Sequence, residues 1–333
     1  MNSRLDPNQE DVSGGWNSGI AAVIPCYKVV KHIEAVIARI GPEVDRIYCV
    51  DDACPEHSGD YIEKTISDPR VRVVRNAVNL GVGGAVINGY RHAIKDGATV
   101  MVKIDGDGQM DPGLVGTFVA PILNGEADYT KGNRFFDLQE IKQMPLLRRI
   151  GNLGLSFLAK ASTGYWDIFD PTNGYTAIHS RAAARLPFDS ISNRYFFETD
   201  MLFRLNTLRG VVIDIPMDAH YGDEVSNLKV SKVFGEFLGK HLRNLFKRVI
   251  YNYYLRDMPI ASLELAASGV LLAFGSIFGI ANWWISARQD VSTPLGTIMI
   301  ATVCIVSGLQ FLLAFLAYDT SAIPRRPIHL RLK

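Results

Sequence analysis

Three aspartates, Asp105, Asp107 and Asp111, stand close together in the stretch VKIDGDGQMDP, directly after a short apolar run. Carboxylates spaced in this way repel one another unless a cation or hydrogen-bond donors lie between them. Asp111 has a structural explanation, because Asp followed by a proline, here Pro112, is a common helix start. Asp105 and Asp107 lack such an explanation, and two carboxylates one residue apart suit Mg²⁺ or Mn²⁺ on the phosphates of a substrate. The pattern therefore predicts a nucleotide diphosphate held through a divalent metal.

Two other interpretations of short motifs fail on their spacing. The aspartates resemble the start of an EF-hand calcium loop, but Met110 replaces the required Gly and Gly116 replaces the required Glu. The stretch NLGVGGAVINGYRHA, which begins at Asn79, resembles a dinucleotide-binding turn, but its third glycine position is Val86 and no strand directly precedes it. An EF-hand is therefore excluded and an NAD site is disfavoured.

Short apolar runs rich in β-branched residues alternate with helical periodicity in the first third of the chain. Strands are predicted at Ile20–Ile24, Arg46–Val50, Val71–Val74 and Val100–Ile104, and helices at Val29–Ile40 and Gly84–Lys95. This alternation predicts a parallel sheet with helices on both faces, in which ligands bind beyond the carboxyl ends of the strands. Asp51-Asp52 follows the second strand, and Asp105 and Asp107 follow the fourth. Both acidic clusters are therefore expected at the ligand-binding edge.

Two long apolar runs, Ile260–Ile285 and Pro294–Tyr318, lie near the end of the chain. Each exceeds the roughly 20 residues that cross a bilayer, so two transmembrane helices are predicted. The connector SARQDVST is short and nearly neutral, whereas the segments before and after the pair are rich in Lys and Arg. By the positive-inside rule, the pair forms a hairpin in the cell membrane, with both flanks and the soluble part of the chain in the cytoplasm.

The segment between Lys229 and Asp257 carries pairs of apolar residues about every four positions, interleaved with basic residues. Because this spacing exceeds the 3.6-residue repeat of an α-helix, we expect a kink or a change of packing partner along the segment. Basic and aromatic residues beside a membrane span are typical of a helix lying on anionic lipid. A helix packed on the soluble domain is the alternative.

Composition excludes several other classes. The formal net charge is +1, without the basic face that nucleic-acid binding requires, so no nucleic-acid partner is predicted. The four cysteines lack metal-ligand spacing and are expected to be reduced and structural. The N-terminal stretch MNSRLDPNQEDVSGGWNSG has no apolar core, so it is predicted to be neither a signal peptide nor a transit peptide.

Seven motifs follow one another along residues 20–230: IPCY, VDDAC, NLGVGGAVINGY, DGDGQMDP, KGNRF, DPTNGY and FFETDML. Together they resemble family 2 glycosyltransferases of the GT-A fold. More narrowly, they are similar to the branch that contains dolichol-phosphate mannose synthase and the bacterial polyprenyl-phosphate glycosyltransferases. The resemblance implies an α/β fold with a Rossmann-like, mostly parallel sheet flanked by helices. An interfacial helix and a C-terminal two-helix transmembrane hairpin would follow it.

The resemblance and the apolar runs together predict five segments of the chain. They are a flexible tail (1–19), a cytoplasmic GT-A catalytic domain (20–228), a juxtamembrane amphipathic helix region (229–257), two transmembrane helices (258–320) and a basic cytoplasmic tail (321–333).

The resemblance also implies roles for individual residues. The implied metal ligands are Asp105 and Asp107, with Gln109 close by. The residues implied to bind the substrates are Pro25, Tyr27, Asp51, Asp52, Asn79, Gly81, Gly83, Gly84, Asp105, Gln109, Gly132, Asp170, Asn173, Gly174, Ser226 and Lys229. The residues implied at the reaction centre are Asp107, Arg134, Arg148, Arg149, Glu198 and Asp200.

Some of these positions have a second explanation or depart from the family pattern. Arg148-Arg149 would grip the acceptor phosphate, but the pair would also suit the solvated face of a helix, and Arg134 would also suit a structural ion pair with Asp170. Lys28-Val29 stands where the family commonly has Asn-Glu. The loop HYGDEVSN lacks the Arg often found there, which leaves Ser226, Lys229 or Lys232 as substitutes.

The function implied by the resemblance is inverting transfer of a sugar from a UDP- or GDP-sugar to a polyprenyl phosphate such as undecaprenyl phosphate. A phosphate acceptor is already a nucleophile, so no general base is strictly required. Two alternatives stay open: transfer to a hydroxyl of a lipid-linked or polymeric glycan, with Glu198 or Asp200 as base, and a non-catalytic nucleotide-sugar-binding membrane protein. Short membrane hairpins often associate, so a homo-oligomer is compatible with the chain.

Overall fold

The computed structural model describes residues 18–134, 146–217 and 230–332, with 146–153 and 230–234 described by their backbone. The described residues form a seven-stranded sheet in the order β3-β2-β1-β4-β6-β5-β7. The strands are β1 Ile20–Cys26, β2 Arg46–Asp51, β3 Val71–Arg75, β4 Val100–Lys103, β5 Tyr129–Asn133, β6 Thr176–His179 and β7 Val212–Pro216.

The sheet is parallel except at β6. β1 lies parallel to β2 and β4, and β5 lies parallel to β7, whereas β6 runs antiparallel to both β4 and β5. The strands β1 and β4 are almost entirely buried, as expected for strands covered on both faces. Each of the four predicted strands begins at its expected residue and ends close to its expected end. The mostly parallel sheet predicted from the alternation is therefore confirmed.

Ten α-helices accompany the strands in the described ranges. They are α1 Ile33–Ala38, α2 Ser58–Thr65, α3 Val82–Lys95, α4 Val115–Leu123, α5 Leu146–Thr163, α6 Ser180–Ala183, α7 Phe197–Thr207, α8 Val230–Val249, α9 Ile260–Arg288 and α10 Leu295–Ser321.

Local backbone geometry fixes where several of these helices begin. α1 is shorter than predicted because Lys28 has a φ of +59° and the next residues form a turn in which Val29 O accepts from His32 N. Asp111 caps the short 3₁₀ turn Pro112–Leu114 that leads into α4, with its side chain accepting from the backbone of Gly113. The structural explanation of Asp111 is therefore confirmed.

The chain divides into two compact units. The first comprises the chain up to His241 together with the segment from Pro324 onward, and the second comprises Leu242–Ile323. In the first unit, the apolar faces of α1 and α4 pack on one side of the sheet, where Phe118 stacks on Tyr175 with ring centroids 4.0 Å apart. The segment from Pro324 onward thus belongs to the unit that contains the sheet.

The second unit contains the helices α9 and α10, which pack on each other as a hairpin. Both are long and apolar enough to cross a membrane. In their most apolar windows only 11% and 17% of the residues are buried inside the protein, so most of the apolar surface is exposed to its surroundings. Small residues allow close contact between the helices: a Cβ on Gly308 would lie 2.8 Å from Leu272 Cγ.

The segment that links α8 to α9 is a π-helix, Ile250–Arg256. A π-helix has i→i+5 hydrogen bonds and is wider than an α-helix, which provides the irregularity that the four-residue spacing predicts. Arg248 donates to both carboxylate oxygens of Asp319, at 2.6 and 2.9 Å, and Tyr253 donates to the same carboxylate. Arg248 and Asp319 are each only 3% exposed, so this cluster anchors the end of α8 to the end of α10 within the second unit.

Candidate active site

A cleft with two lobes opens at the carboxyl edge of the sheet, each lobe about 470 Å³ in volume. Asp105, Asp107, Val82 and Tyr195 line both lobes and therefore stand at their junction. Of the other predicted residues, the first lobe is lined by Pro25, Tyr27, Asp52, Asn79 and Gly81, and the second by Gln109, Arg134, Asn173, Gly174 and Glu198. Most of the predicted site is thus brought together at the edge where parallel sheets bind ligands.

In the first lobe, the carboxylate of Asp52 organises the glycine turn before α3. Its Oδ1 accepts from Leu80 N at 2.8 Å and from the side chain of Asn76 at 2.7 Å, and its Oδ2 accepts from Gly81 N at 2.7 Å. Gly81 has a φ of +87°, and a Cβ there would lie 2.7 Å from Asn193 O. Only glycine suits this position, and it brings the start of α3 to the cleft wall.

Asp51, the neighbour of Asp52, lies outside the cleft lining. Its two oxygens accept from the backbone N–H groups of Cys54 and Gly59, both at 2.8 Å, and the carboxylate is buried against α2. Gly83 and Gly84 are buried inside α3, where a Cβ would press on Phe197 or on Leu80. These three predicted residues therefore support the elements around the lobe and do not face it.

The carboxylates at the junction have the donor set that a divalent cation on a substrate phosphate requires. Asp107 Oδ1 accepts from Gln109 N at 3.0 Å, which folds the DGDGQ loop back so that Asp105, Asp107 and Gln109 all reach the cleft. Among the described residues, no group of three or more His, Cys, Asp or Glu side chains could hold a metal by itself. Two hard carboxylates fit Mg²⁺ or Mn²⁺ that completes its shell with water and substrate phosphates.

Lys103 lies beside this pair, and sequence analysis missed it. Its ammonium is 2.8 Å from Asp105 Oδ1 and 3.3 Å from Glu198 Oε1, and it donates to Gly174 O at 3.0 Å. Burial alone would lower the pKa of Lys103, but the charges of Asp105 and Glu198 raise it well above its usual range. The side chain is only 1% exposed and remains a cation. A signal existed, because Lys ends an otherwise apolar buried strand and buried Lys residues are nearly always paired.

In the second lobe, Arg134 forms the ion pair with Asp170 that one interpretation predicted. Arg134 Nε lies 2.8 Å and Nη2 3.2 Å from the two carboxylate oxygens. Burial would raise the pKa of Asp170, but the hydrogen bonds from Arg134 and the charge of Lys131 outweigh it and hold that pKa below its usual range. Asp170 is buried and does not line the cleft, whereas Arg134 does. Asp170 thus holds the guanidinium at the cleft wall.

Behind this ion pair, Lys131 is buried and donates to the backbone of Asn173. Burial lowers its pKa to about 8, with the charge of Asp170 opposing that shift. Gly132 is also buried: a Cβ there would lie 2.4 Å from Met217 Sδ and 2.8 Å from the Asn173 amide. Gly132 therefore allows the loop that carries Asn173 and Gly174 to lie close to β5.

The acidic residues of FFETDML face different ways. Glu198 lines the second lobe, next to Lys103. Asp200 is 1% exposed, accepts from Ser192 N at 2.9 Å and lies 3.5 Å from Arg204 Nε, away from the cleft lining. Only Glu198 therefore contributes its carboxylate to the cleft.

Four predicted residues cannot be placed by their side chains. Ser226 and Lys229 lie outside the described residues. Arg148 and Arg149 lie in the first turns of α5, of which the backbone alone is described. Their roles stay predictions.

Two aromatic residues complete the cleft and were also missed. Tyr195, which is 61% exposed, lines both lobes, and it directly precedes the FFETDML motif. Phe237 on α8 lines the second lobe and packs on Phe196 with ring centroids 5.5 Å apart. The position of Tyr195 beside a motif could have indicated its role in the cleft. Phe237 was missed because its helix was expected at the membrane interface, with packing on the soluble domain as the alternative; its contact with Phe196 agrees with that alternative.

Comparison with known proteins assigns this cleft to a family. Residues 21–186 match the family described as Glycosyl transferase family 2. The UDP-N-acetylglucosamine–dolichyl-phosphate N-acetylglucosaminyltransferase of Methanococcus voltae is 30% identical over 190 residues, which are 53% of this chain and 75% of the relative. The chain belongs to glycosyl transferase family 2. The predicted family and enzyme class are therefore confirmed.

One further relative and one solved structure are also similar to this family 2 glycosyltransferase. The undecaprenyl-phosphate mannosyltransferase of Micrococcus luteus is 27% identical over 203 residues, covering 60% of this chain and 82% of the relative. Among solved structures, the mannosyl-3-phosphoglycerate synthase of Rubrobacter xylanophilus aligns with a TM-score of 0.52 and 14% identity, over 72% of this chain and 76% of that one. The predicted GT-A fold is confirmed by this likeness and by the seven-stranded mixed sheet.

Proposed function

We propose that this glycosyltransferase transfers a sugar from a UDP- or GDP-sugar to a polyprenyl phosphate, with inversion at the anomeric carbon. Relatives named for dolichyl-phosphate and undecaprenyl-phosphate transfer support the acceptor class. The two lobes support separate donor and acceptor sites that meet at Asp105 and Asp107.

The choice of a phosphate acceptor rests on one observation: the carboxylates that line the cleft are already paired within the protein. Each carboxylate that lines the described cleft already accepts a hydrogen bond or ion pair from the protein: Asp52, Asp105, Asp107 and Glu198. A general base must reach the proton that it removes and have a pKa near the working pH. Glu198 is already paired with the Lys103 ammonium, 3.3 Å from its Oε1, and Asp200 does not line the cleft. A phosphate acceptor needs no base, so it fits this arrangement better than a sugar hydroxyl.

In the proposed reaction, a phosphate oxygen of the lipid attacks the anomeric carbon and the nucleoside diphosphate leaves with the bonding electrons. The acceptor phosphate is mostly dianionic at neutral pH because its second pKa is near 6. Arg134, oriented by Asp170, would hold it, since a guanidinium binds phosphate through two parallel hydrogen bonds. Asp105 and Asp107 would hold Mg²⁺ or Mn²⁺, which neutralises charge on the leaving diphosphate.

The proposal includes a membrane anchor, with α9 and α10 as two spans. The described residues up to His241 and from Pro324 onward belong to one unit, which supports a hairpin that leaves and returns on the same side of the membrane. The Lys- and Arg-rich flanks favour the cytoplasmic side. The exposed apolar stripe of Leu242, Phe246 and Ile250 on α8 and the start of the π-helix supports contact with the lipid interface.

The test is transfer by the purified full chain in detergent, with undecaprenyl phosphate as acceptor and UDP- and GDP-sugars in parallel. Mg²⁺ or Mn²⁺ is supplied or chelated, and Asp107→Asn is compared with Asp189→Asn, which changes a 92% exposed carboxylate outside the cleft lining. We expect a metal-dependent glycosyl phospholipid that Asp107→Asn lowers at least about 100-fold and Asp189→Asn leaves unchanged. Nucleotide binding without any lipid product would reject the acceptor and favour a glycan hydroxyl or a binding role.

A further inference from the structure

We propose that Lys103 is a positioning residue that sets how tightly the carboxylate pair holds its metal and where the surrounding groups stand. The inference rests on the proposed function in that Asp105 is taken as a metal ligand. Its core evidence is independent of the acceptor: one buried ammonium contacts three separate parts of the cleft wall.

Two of the three contacts of the ammonium are hydrogen bonds, to Asp105 and Gly174 O, and the third is an ion pair with Glu198. Lys103 reaches Asp105 on the loop after β4, Gly174 O on the loop before β6, and Glu198 in the first turn of α7. An ammonium has three N–H donors and no acceptor. Each contact joins Lys103 to a different element of the fold, so the lysine fixes the distances among the three elements.

The backbone of Gly174 packs tightly against the ammonium of Lys103 and the carboxylate of Asp105. A Cβ on Gly174 would lie 2.6 Å from Lys103 Nζ and 2.8 Å from Asp105 Oδ2. Glycine at this position thus allows the loop backbone to approach the ion pair directly. The loop also carries Asn173, which lines the second lobe. Moving the lysine would therefore move a wall of the cleft as well as a carboxylate.

The charge of Lys103 opposes a cation at Asp105. A buried unit charge is screened far less than one in water, so an ammonium that shares a carboxylate with a metal weakens the binding of that metal substantially. The same charge keeps Asp105 and Glu198 from repelling each other in a buried setting. Lys103 thus lowers metal affinity while it maintains the geometry that turnover needs.

If the role of Lys103 were purely structural, its substitution would give a different result. If Lys103 only stabilised the core, its removal would loosen the site, and metal binding and turnover would fall together. If it has the role proposed here, Lys103→Met raises the affinity for Mn²⁺ about 10-fold, because a repelling charge is lost. At the same time, turnover falls about 10- to 100-fold, because the carboxylate and the loop shift. Opposite changes in the two quantities identify a positioning role.

The experiment uses the full chain in detergent and Mn²⁺ as the probe. Free Mn²⁺ is followed by electron paramagnetic resonance during titration, with UDP or GDP at saturation, for wild type, Lys103→Met and Lys103→Arg. Lys103→Arg keeps the charge and should bind Mn²⁺ within about threefold of wild type. Turnover is followed as hydrolysis of the donor, in which water takes the sugar and the nucleoside diphosphate leaves, so neither measurement needs the lipid acceptor.

Folded Lys103→Met that binds Mn²⁺ no more tightly than wild type would overturn the proposal. If Lys103→Met does not fold, Lys103→Met/Glu198→Gln removes one of the two carboxylates that Lys103 pairs with and leaves Asp105 for the metal. Its Mn²⁺ affinity should then lie within a few-fold of wild type, since one positive and one negative charge leave together. A loss of more than about 10-fold in the double variant would contradict the charge argument. Because Mn²⁺ binding is read without transfer, failure of the polyprenyl-phosphate assignment gives a separate result.

Discussion

The imidazole Nδ1 of His329 lies 2.7 Å from Asp128 Oδ1, although the two residues are 201 positions apart in the chain. The same carboxylate accepts from the backbone N–H groups of Ile328, His329 and Val211, at 2.8 to 2.9 Å. His329 also stacks on His179, with ring centroids 4.2 Å apart. The segment after the apolar hairpin is therefore fastened to the start of β5 by one fully buried aspartate.

Asp128→Asn should destabilise the first unit by about 2–4 kcal/mol, because an amide presents N–H groups to donors that have lost their acceptor. Thermal unfolding in detergent and proteolysis of the C-terminal segment measure the effect. Asp189→Asn, at an exposed carboxylate, is the matched control and should change stability by less than about 0.5 kcal/mol. Equal stability of the two variants would show that the Asp128 contacts contribute nothing.

Arg134 and Asp170 allow stability to be separated from transfer. Arg134→Met leaves the buried Asp170 carboxylate unpaired, so we expect a loss of about 3–5 kcal/mol in the free energy of unfolding. Adding Asp170→Asn should restore most of that stability without restoring transfer, since the phosphate grip stays absent. Unfolding curves and transfer rates of the single and double variants give both quantities. Transfer that recovers together with stability would mean that Arg134 serves the fold alone.

The free energy of unfolding is expected to depend on pH through the buried His241. Burial lowers the pKa of His241 to about 4, and Ser162 Oγ lies 2.7 Å from its Nδ1. Between about pH 6.5 and pH 4 the unfolded chain binds a proton that the folded chain does not, so the stability present above pH 6.5 is lost as the pH falls. Between pH 7.5 and 4.5, wild type should lose about 2–3 kcal/mol more than His241→Gln, whose side chain does not titrate.

Unfolding of both proteins across this pH range provides the measurement. Parallel curves for wild type and His241→Gln would show that the buried imidazole contributes no pH dependence. Residues that titrate in both proteins affect the two curves equally and cancel in the difference.

Gly174→Ala tests the close approach between the loop and the Lys103–Asp105 pair. The added methyl group would lie 2.6 Å from Lys103 Nζ, so we expect transfer to fall about 10- to 100-fold. Gly116→Ala is the control: it lies in α4 with nothing within 4 Å of the new Cβ and should raise stability by about 0.5–1 kcal/mol without affecting transfer. Unchanged transfer in Gly174→Ala would mean that the loop can move to make room for the methyl group without disturbing the Lys103–Asp105 pair.

The sequence alone determined the features that depend on local pattern. Strands β1 to β4 were predicted from short apolar runs, the cap at Asp111 from its proline, and the membrane-length helices from uninterrupted apolar residues. The carboxyl-edge position of Asp105 and Asp107 followed from the strand before them. These properties arise from neighbours within one element, so a single sequence contains them.

The tertiary structure decided which member of each acidic pair faces the cleft. Successive side chains at a strand end point to opposite sides, so Asp52 reaches the first lobe while Asp51 turns toward α2. Glu198 and Asp200 are separated by about 200° around a helix, so only one can face the second lobe. Which one does depends on how α7 packs on α3 and α5, and no local pattern records that rotation.

The contacts of Lys103 with Glu198 and of Asp128 with His329 were likewise decided by the fold. Each joins residues that are far apart in the chain, and a side chain's type gives no indication of its distant partner. The sequence determined that charged groups would gather at the carboxyl edge of the sheet. Packing of α7, of the loop before β6 and of the C-terminal segment determined which charges are paired and which line the cleft, because only the folded backbone sets those distances.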